Sequence, residues 1–257
     1  MGPLLIVNPN TSATITAPLQ ALAQMQAGPH VQVHAVTARF GAPYIACEAS
    51  YAVAAHATLD AWAAALASGP CAGAAHPGAV LIGCFGDPGL LALREASSVP
   101  VTGLAEAAFV EAARHGRFAI VTGGARWAPM LERLAAALGY ADALAGIHTV
   151  AASGAQLAAD PAAALIQLGE ACRLAVTRTG ARCVILGGAG LAGMAQGLQR
   201  SVEVPLIDSL LTGTRYAIEL AQTAAGSAAP VPTGSDRFDV EWHHVSAELT
   251  ARGRARE

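Results

Sequence analysis

Three short glycine- or asparagine-containing segments of this chain carry residue types able to do chemistry at sharp turns. Gly83-Cys84-Phe85-Gly86-Asp87-Pro88-Gly89 sets a cysteine directly after a Val/Leu/Ile run. Asp87-Pro88 reads as the N-cap and first residue of a helix starting there, and a thiol at that place would feel the positive end of the helix dipole. Such a setting favours thiolate, the form that takes a proton from carbon or attacks it. The plainer reading is a cysteine packed at a strand end. Asn8-Pro9-Asn10-Thr11-Ser12 follows the first apolar run, with Thr11 or Ser12 able to cap the next helix and its free amides able to bind an anion. Thr122-Gly123-Gly124 stands in the equivalent place further along.

Gly188-Ala189-Gly190-Leu191-Ala192-Gly193 matches a dinucleotide-binding fingerprint, and Asp208 stands where a ribose-binding acid would. Too little chain follows Asp208 to complete a dinucleotide half-sheet, however, and the matching loop at Cys84 lacks the pattern. The glycines fit better as places where backbone approaches a small ligand. Nucleophile elbows, phosphate loops, zinc-protease helices and calcium loops are absent from the sequence. His243-His244 reads as a solvated pair, and His56, His76, His115 and His148 as surface or local structural residues. Gly41–Glu48 forms a long loop that would cover a cleft, with Cys47 and Glu48 as reserve candidates.

These segments need elements to hold them. Candidate strands are Leu4–Asn8, Val31–Thr37, Ala79–Cys84, Val99–Gly103, Arg117–Thr122, Gly146–Ala151, Arg182–Gly187 and Val204–Asp208. Their continuous apolar character suits parallel sheets covered on both faces. Helices are expected over Ser12–Gln26, Glu48–Ala67, Pro88–Ala96, Ala105–His115, Arg126–Leu138, Pro161–Thr179, Leu191–Leu198 and Ser209–Ala221, giving an α/β class. The chain also repeats. Val80–Cys84, a glycine loop, a helix and Val99-Pro100-Val101-Thr102-Gly103 correspond to Val184–Gly188, a glycine loop, a helix and Val204-Pro205-Leu206-Ile207-Asp208. Two pseudo-symmetric doubly wound parallel-sheet domains follow, with the site in the cleft between them. The division expected is 1–103 plus about 208–224, then 104–207, with a polar tail over 225–257 that frays at Ala251–Glu257.

Composition narrows the classes. Of 257 residues, 54% are hydrophobic and 13% charged, with net charge −3, which excludes a disordered chain and argues against nucleic-acid binding. The uncharged stretch from Ala61 to Gly86 is broken by glycines and prolines, so no membrane span is expected. The start carries neither a signal-peptide nor a myristoylation pattern. Cys47, Cys71, Cys84, Cys172 and Cys183 are odd in number, form no CxxC pair and show no zinc spacing. The expectation is a cytoplasmic protein with reduced thiols, no metal, and a small molecule as partner. A homo-oligomer is compatible with the sequence.

Leu5–Ser12 (LIVNPNTS), Ile82–Leu90 (IGCFGDPGL), Val99–Ala107 (VPVTGLAEA), Phe118–Thr122 (FAIVT) and Leu186–Met194 (LGGAGLAGM), in this order, resemble the Asp/Glu/hydantoin racemase family, nearest its hydantoin and allantoin branch. The resemblance spans roughly residues 4–220. It implies a cofactor-independent enzyme with two cysteines, one per domain, flanking the substrate's α-carbon: a thiolate takes the proton and a thiol on the other face returns one. Cys84 matches the first cysteine. The second is replaced by Gly188, and Cys183, five residues earlier, reads as core. The substrate expected is a small carbonyl-activated acid, hydantoin or amino-acid derivative. Asn10, Thr11, Phe85, Thr122, Gly123, Gly188 and Ala189 would line its site. The missing thiol leaves open a one-thiol lyase, decarboxylase or isomerase, and an inactive ligand-binding homologue.

Overall fold

A computed structural model describes residues 2–73, 76–152, 154–226 and 235–254. Its eight strands are β1 (Leu4–Asn8), β2 (Val33–Thr37), β3 (Ala79–Ile82), β4 (Val101–Gly103), β5 (Phe118–Gly123), β6 (Leu144–Val150), β7 (Cys183–Gly187) and β8 (Leu206–Asp208). They pair in parallel into two sheets, in the orders β2-β1-β3-β4 and β6-β5-β7-β8. The second order repeats the first, as the sequence repeat requires. β1, β3, β5 and β7 are buried along their whole length, whereas the edge strands β2 and β6 are mostly half-buried. Continuous apolar runs therefore mark the strands covered on both faces.

The helices are α1 (Ala13–Ala27), α2 (Glu48–Ala67), α3 (Leu90–Ala96), α4 (Leu104–His115), α5 (Trp127–Ala137), α6 (Gly154–Ala159), α7 (Pro161–Thr179), α8 (Met194–Leu198), α9 (Ser209–Gly226) and α10 (Ala247–Thr250). Alternate residues of β1 feed opposite cores, as strand geometry dictates. Leu4 and Ile6 join a core shared by both sheets with α1, α4, α5 and α9, while Leu5 and Val7 face α2 and α3. The outer face of the second sheet packs on α7 and α8. Phe109 of α4 links the halves, stacked on Phe118 of β5 at 5.5 Å and edge-on to Phe85 at 6.2 Å.

The expected elements are present, with two short additions, α6 and α10. The helix expected from Pro88 begins at Leu90, behind Gly89, and the one expected over Leu191–Leu198 is a 3-10 turn at Ala189–Leu191 followed by α8. Residues 235–254 do not trail away: Leu249 is fully buried, and Phe238 meets Trp62 edge-on at 5.9 Å. Asp236 holds His76 and Ser98, and Arg39 of the β2–α2 loop joins Asp60 to Glu248. Parts of the expected tail, 227–234 and 255–257, lie outside the described residues. No helix among the described residues is long and apolar enough to cross a membrane.

α9 follows the second sheet yet packs on α1, β3 and α4. Gly213 allows the approach, since a Cβ there would stand 3.0 Å from Leu104 Cδ2 and 3.2 Å from Leu81 Cδ1. Gly213→Leu is expected to lower stability by about 1–3 kcal/mol through overpacking. Urea unfolding followed by circular dichroism measures it, and an unchanged midpoint would contradict the packing described.

Candidate active site

Parallel sheets open a crevice at the carboxyl ends of the strands where strand order reverses. Those strands are β1 and β3 in one half and β5 and β7 in the other. The loops leaving all four meet around one cavity of about 60 Å³. A single water needs roughly 10–15 Å³ of such space, so a compact molecule fits and a dinucleotide does not. The first half contributes Asn10, Gly83, Cys84 and Phe85; the second contributes Thr122, Gly123 and the run Gly187–Leu191.

Of the residues singled out in the sequence, Cys84, Asn10, Phe85, Thr122, Gly123, Gly188 and Ala189 are thus gathered at one place. Thr11 is not among the lining residues; its N–H is tied to the Ala42 carbonyl at 3.1 Å. The start of α1 also lacks the expected hydroxyl cap. Asn10 Oδ1 accepts the Ser12 N–H at 2.9 Å, and Ser12 makes no side-chain cap. The same Oδ1 accepts from Asn8 Nδ2 at 3.0 Å, which fixes the Asn10 amide and leaves its NH2 without a partner among the described residues. The Thr122 hydroxyl likewise makes no hydrogen bond with them.

Cys84 is 8% exposed. Burial, and then the charge of Asp87, push its thiol well above the usual range. This reverses the expected thiolate-favouring helix start. α3 begins only at Leu90, and the Asp87 carboxylate does not cap it: its oxygens accept from Ala105 and Glu106, at 2.9 and 2.7 Å, in the first turn of α4. Burial pushes Asp87 itself up to about 7, against the pull of those two hydrogen bonds.

Across the cavity, Gly188 has φ +150°, a conformation L side chains rarely adopt. A Cβ there would meet only the Leu191 side chain, at 3.3 Å. Cys183 is fully buried, with its thiol donating to the Ala112 carbonyl at 3.5 Å, as a core residue does. Asp208 is committed to backbone: it accepts from Gly193 at 2.6 Å and from Leu210 and Leu211 of α9. The fingerprint at Gly188–Gly193 is therefore a turn held by its own acid, with no free carboxylate for a ribose.

Ile15 and Trp127, which the sequence does not single out, complete the wall with Tyr44, Ile45 and Leu191. Tyr44 and Ile45 belong to the loop expected to cover the cleft, and the Tyr44 hydroxyl donates to the Gly123 carbonyl at 3.4 Å. Trp127 opens α5, just beyond the Thr122 loop; that position was the available signal. It lies over Gly86, where a Cβ would be 2.5 Å from its ring, and Phe85 fills the space a Cβ on Gly187 would need. Of the reserve candidates, Glu48 pairs with Arg133 between α2 and α5, and Cys47 bonds Ser50; neither lines the cavity. Among the described residues no cluster of side chains is arranged to hold a metal.

Comparison with known proteins agrees with this geometry. The family described as Asp/Glu/Hydantoin racemase matches residues 4–217. The chain is 31% identical over 239 residues to a hydantoin racemase of Paenarthrobacter aurescens, covering 90% of this chain and 97% of that one. It is 30% identical over 213 residues to a hydantoin racemase of a Pseudomonas species, covering 82% and 83%. Among solved structures, an allantoin racemase from Klebsiella pneumoniae superposes with TM-score 0.83 at 28% identity, covering 98% of this chain and 99% of that one.

A thiol whose pKa lies above its ordinary value is almost wholly protonated near neutrality, and its thiolate fraction rises about tenfold per pH unit until that pKa is reached. Alkylation of Cys84 by iodoacetamide, located by mass spectrometry, is expected to accelerate about tenfold per pH unit, about 100-fold in all between about pH 7 and pH 9. A plateau reached below about pH 8 would show a depressed thiol and contradict the site described.

Proposed function

The chain belongs to the Asp/Glu/hydantoin racemase family, and from that premise we propose that it racemises uncharged 5-substituted hydantoins by proton transfer at ring carbon 5. One observation carries the choice of substrate: among the described residues, no charged side chain lines the cavity around Cys84. Free aspartate or glutamate would bury carboxylates with no counter-charge, at a cost of several kcal/mol. A hydantoin ring brings its activating carbonyls without net charge. Ile15, Ile45, Phe85, Trp127 and Leu191 suit an apolar substituent, and the freed Asn10 amide suits a ring carbonyl.

In this reading Cys84 takes the carbon-bound proton as thiolate, or returns it as thiol. The charge that develops on the carbonyl oxygen is met by Asn10 Nδ2 and by backbone N–H groups of the glycine loops. The opposite face lacks a thiol at Gly188. We assign proton exchange there to the Thr122 hydroxyl at the cavity wall, which passes the proton to and from a water molecule entering the cavity. Thr122 is paired in register with Gly187, so it belongs to the half opposite Cys84, and its hydroxyl has no competing partner among the described residues. No cofactor is invoked. We place the enzyme in the cytoplasm, where five unpaired thiols stay reduced.

Gly188 also favours a second reading, a lyase in which Cys84 alone protonates a planar intermediate after C–C cleavage. Polarimetry combined with chiral chromatography separates the two. A racemase takes either pure 5-substituted hydantoin to a 1:1 mixture with total hydantoin constant; consumption of substrate to give one hand of product would contradict racemisation. A second outcome concerns Gly188→Cys. A thiol supplied to the second face is expected to raise the racemisation rate about tenfold or more, while the forced φ lowers stability by about 1–3 kcal/mol. A folded variant no faster than wild type would contradict the assignment of Gly188 to that face.

A further inference from the structure

The structure assigns Asp87 the part of a positioning residue: its buried carboxylate fastens the Cys84 loop to the first turn of α4 and holds the thiol at the cavity wall. The consequence for turnover rests on the acid/base role proposed for Cys84; the consequence for the thiol itself does not.

Cys84 and Asp87 share one tight turn, in which the Asp87 N–H donates to the Cys84 carbonyl at 3.1 Å. Asp87 has φ +51°, a left-handed conformation uncommon for a residue with a side chain, so something must hold it there. Its two oxygens are divided between the N–H groups of Ala105 and Glu106, eighteen and nineteen residues onward. These donors belong to α4, whose own N-cap residue is Gly103, with no side chain to cap it. A Cβ on Gly103 would lie 2.1 Å from Asp87 Cγ. The carboxylate thus stands where a capping side chain would, but it is rooted in the Cys84 loop.

The second half makes the same connection in the opposite sense. The residue matching Gly103 in the repeat is Asp208, and its carboxylate caps α9 through Leu210 and Leu211. It then reaches to the Gly193 N–H, at 2.6 Å, in the glycine loop that follows β7. In each half one buried carboxylate joins the cavity loop after the third strand to the helix after the fourth. In one it springs from the loop, in the other from the strand end. What recurs is the tie, and an ordinary helix cap would not need it. The groups facing Asp87 are the Glu106 carboxylate on α4, the Tyr51 phenol on α2 and the Cys84 thiol.

The test follows thiol, turnover and stability together in the full-length protein, in a Cys47→Ser background so that the more exposed thiol does not compete. Asp87→Asn is expected to lower kcat about 10- to 100-fold with KM within about threefold, as displacement of a reacting group does. Loss of the tie also moves Cys84 off the wall and removes the neighbouring charge, so iodoacetamide alkylation near pH 7.5 is expected to rise at least about threefold. A second variant transposes the carboxylate. Asp87→Ala combined with Gly103→Asp gives α4 a cap from the strand end while leaving the Cys84 loop untied. It is expected to recover most of the unfolding temperature that Asp87→Ala alone loses, with alkylation still fast and kcat still low.

Alkylation of Asp87→Asn less than about threefold above wild type would overturn the proposal. So would a double variant whose alkylation and kcat both return to wild type, since Asp87 would then be an ordinary cap. The alkylation measurement needs no substrate, so it judges the tie even if hydantoins are not racemised.

Discussion

Everything around Cys84 follows from keeping a titratable thiol in a largely buried pocket where no described side chain offers it a counter-charge. Burial raises the cost of the thiolate, and the charge of Asp87 raises it further. The site therefore holds a weak acid. A group of that kind is poorly matched to acting as a standing nucleophile at neutral pH, and as a thiol it is held ready to give a proton to a stronger base. The absence of charged side chains from the wall among the described residues works in the same direction, because a substrate that brings no net charge needs no counter-ion.

The cavity exists because two similar halves interlock at positions without side chains. Phe85 enters the space left by Gly187, and Trp127 covers Gly86, so each half closes over the glycine loop of the other. The Tyr51 hydroxyl donates to the Gly86 carbonyl at 2.7 Å, and Tyr51 meets Trp127 edge-on at 6.4 Å, which braces that loop from α2. The Arg133–Glu48 pair joins α5 and α2 at the exposed rim, where it contributes little energy. Precision at the thiol thus comes from sterics and buried backbone hydrogen bonds, which salt does not screen.

Much of this was legible in the sequence because it is local. β1, β3, β5 and β7 are continuous apolar runs, and the repeat of Val80–Gly103 in Val184–Asp208 implies two sheets of one topology. Cys84, Thr122 and Gly188 were legible as residues at strand C-termini. The start of α3 is not legible, because Asp87-Pro88 is a valid local helix signal whose acceptor is captured by α4, a tertiary competitor that local spacing does not reveal. Thr11 was placed in the site by its neighbours, but its N–H turns to Ala42. Ile15, Tyr44 and Trp127 reach the cavity only through packing between segments far apart in the chain. The docking of residues 235–254 is not legible in the sequence, because single apolar residues, Phe238 and Leu249, are scattered among polar ones.

The most direct measurement of the central claim is proton exchange at ring carbon 5, followed by proton NMR in D2O with a single enantiomer of a 5-substituted hydantoin. Wild-type protein should replace the carbon-bound hydrogen with deuterium as optical rotation decays. Cys84→Ser, folded to the same unfolding temperature within a few degrees, should slow both by about 100-fold or more. Exchange at the wild-type rate in that variant would remove Cys84 from the chemistry and contradict the account.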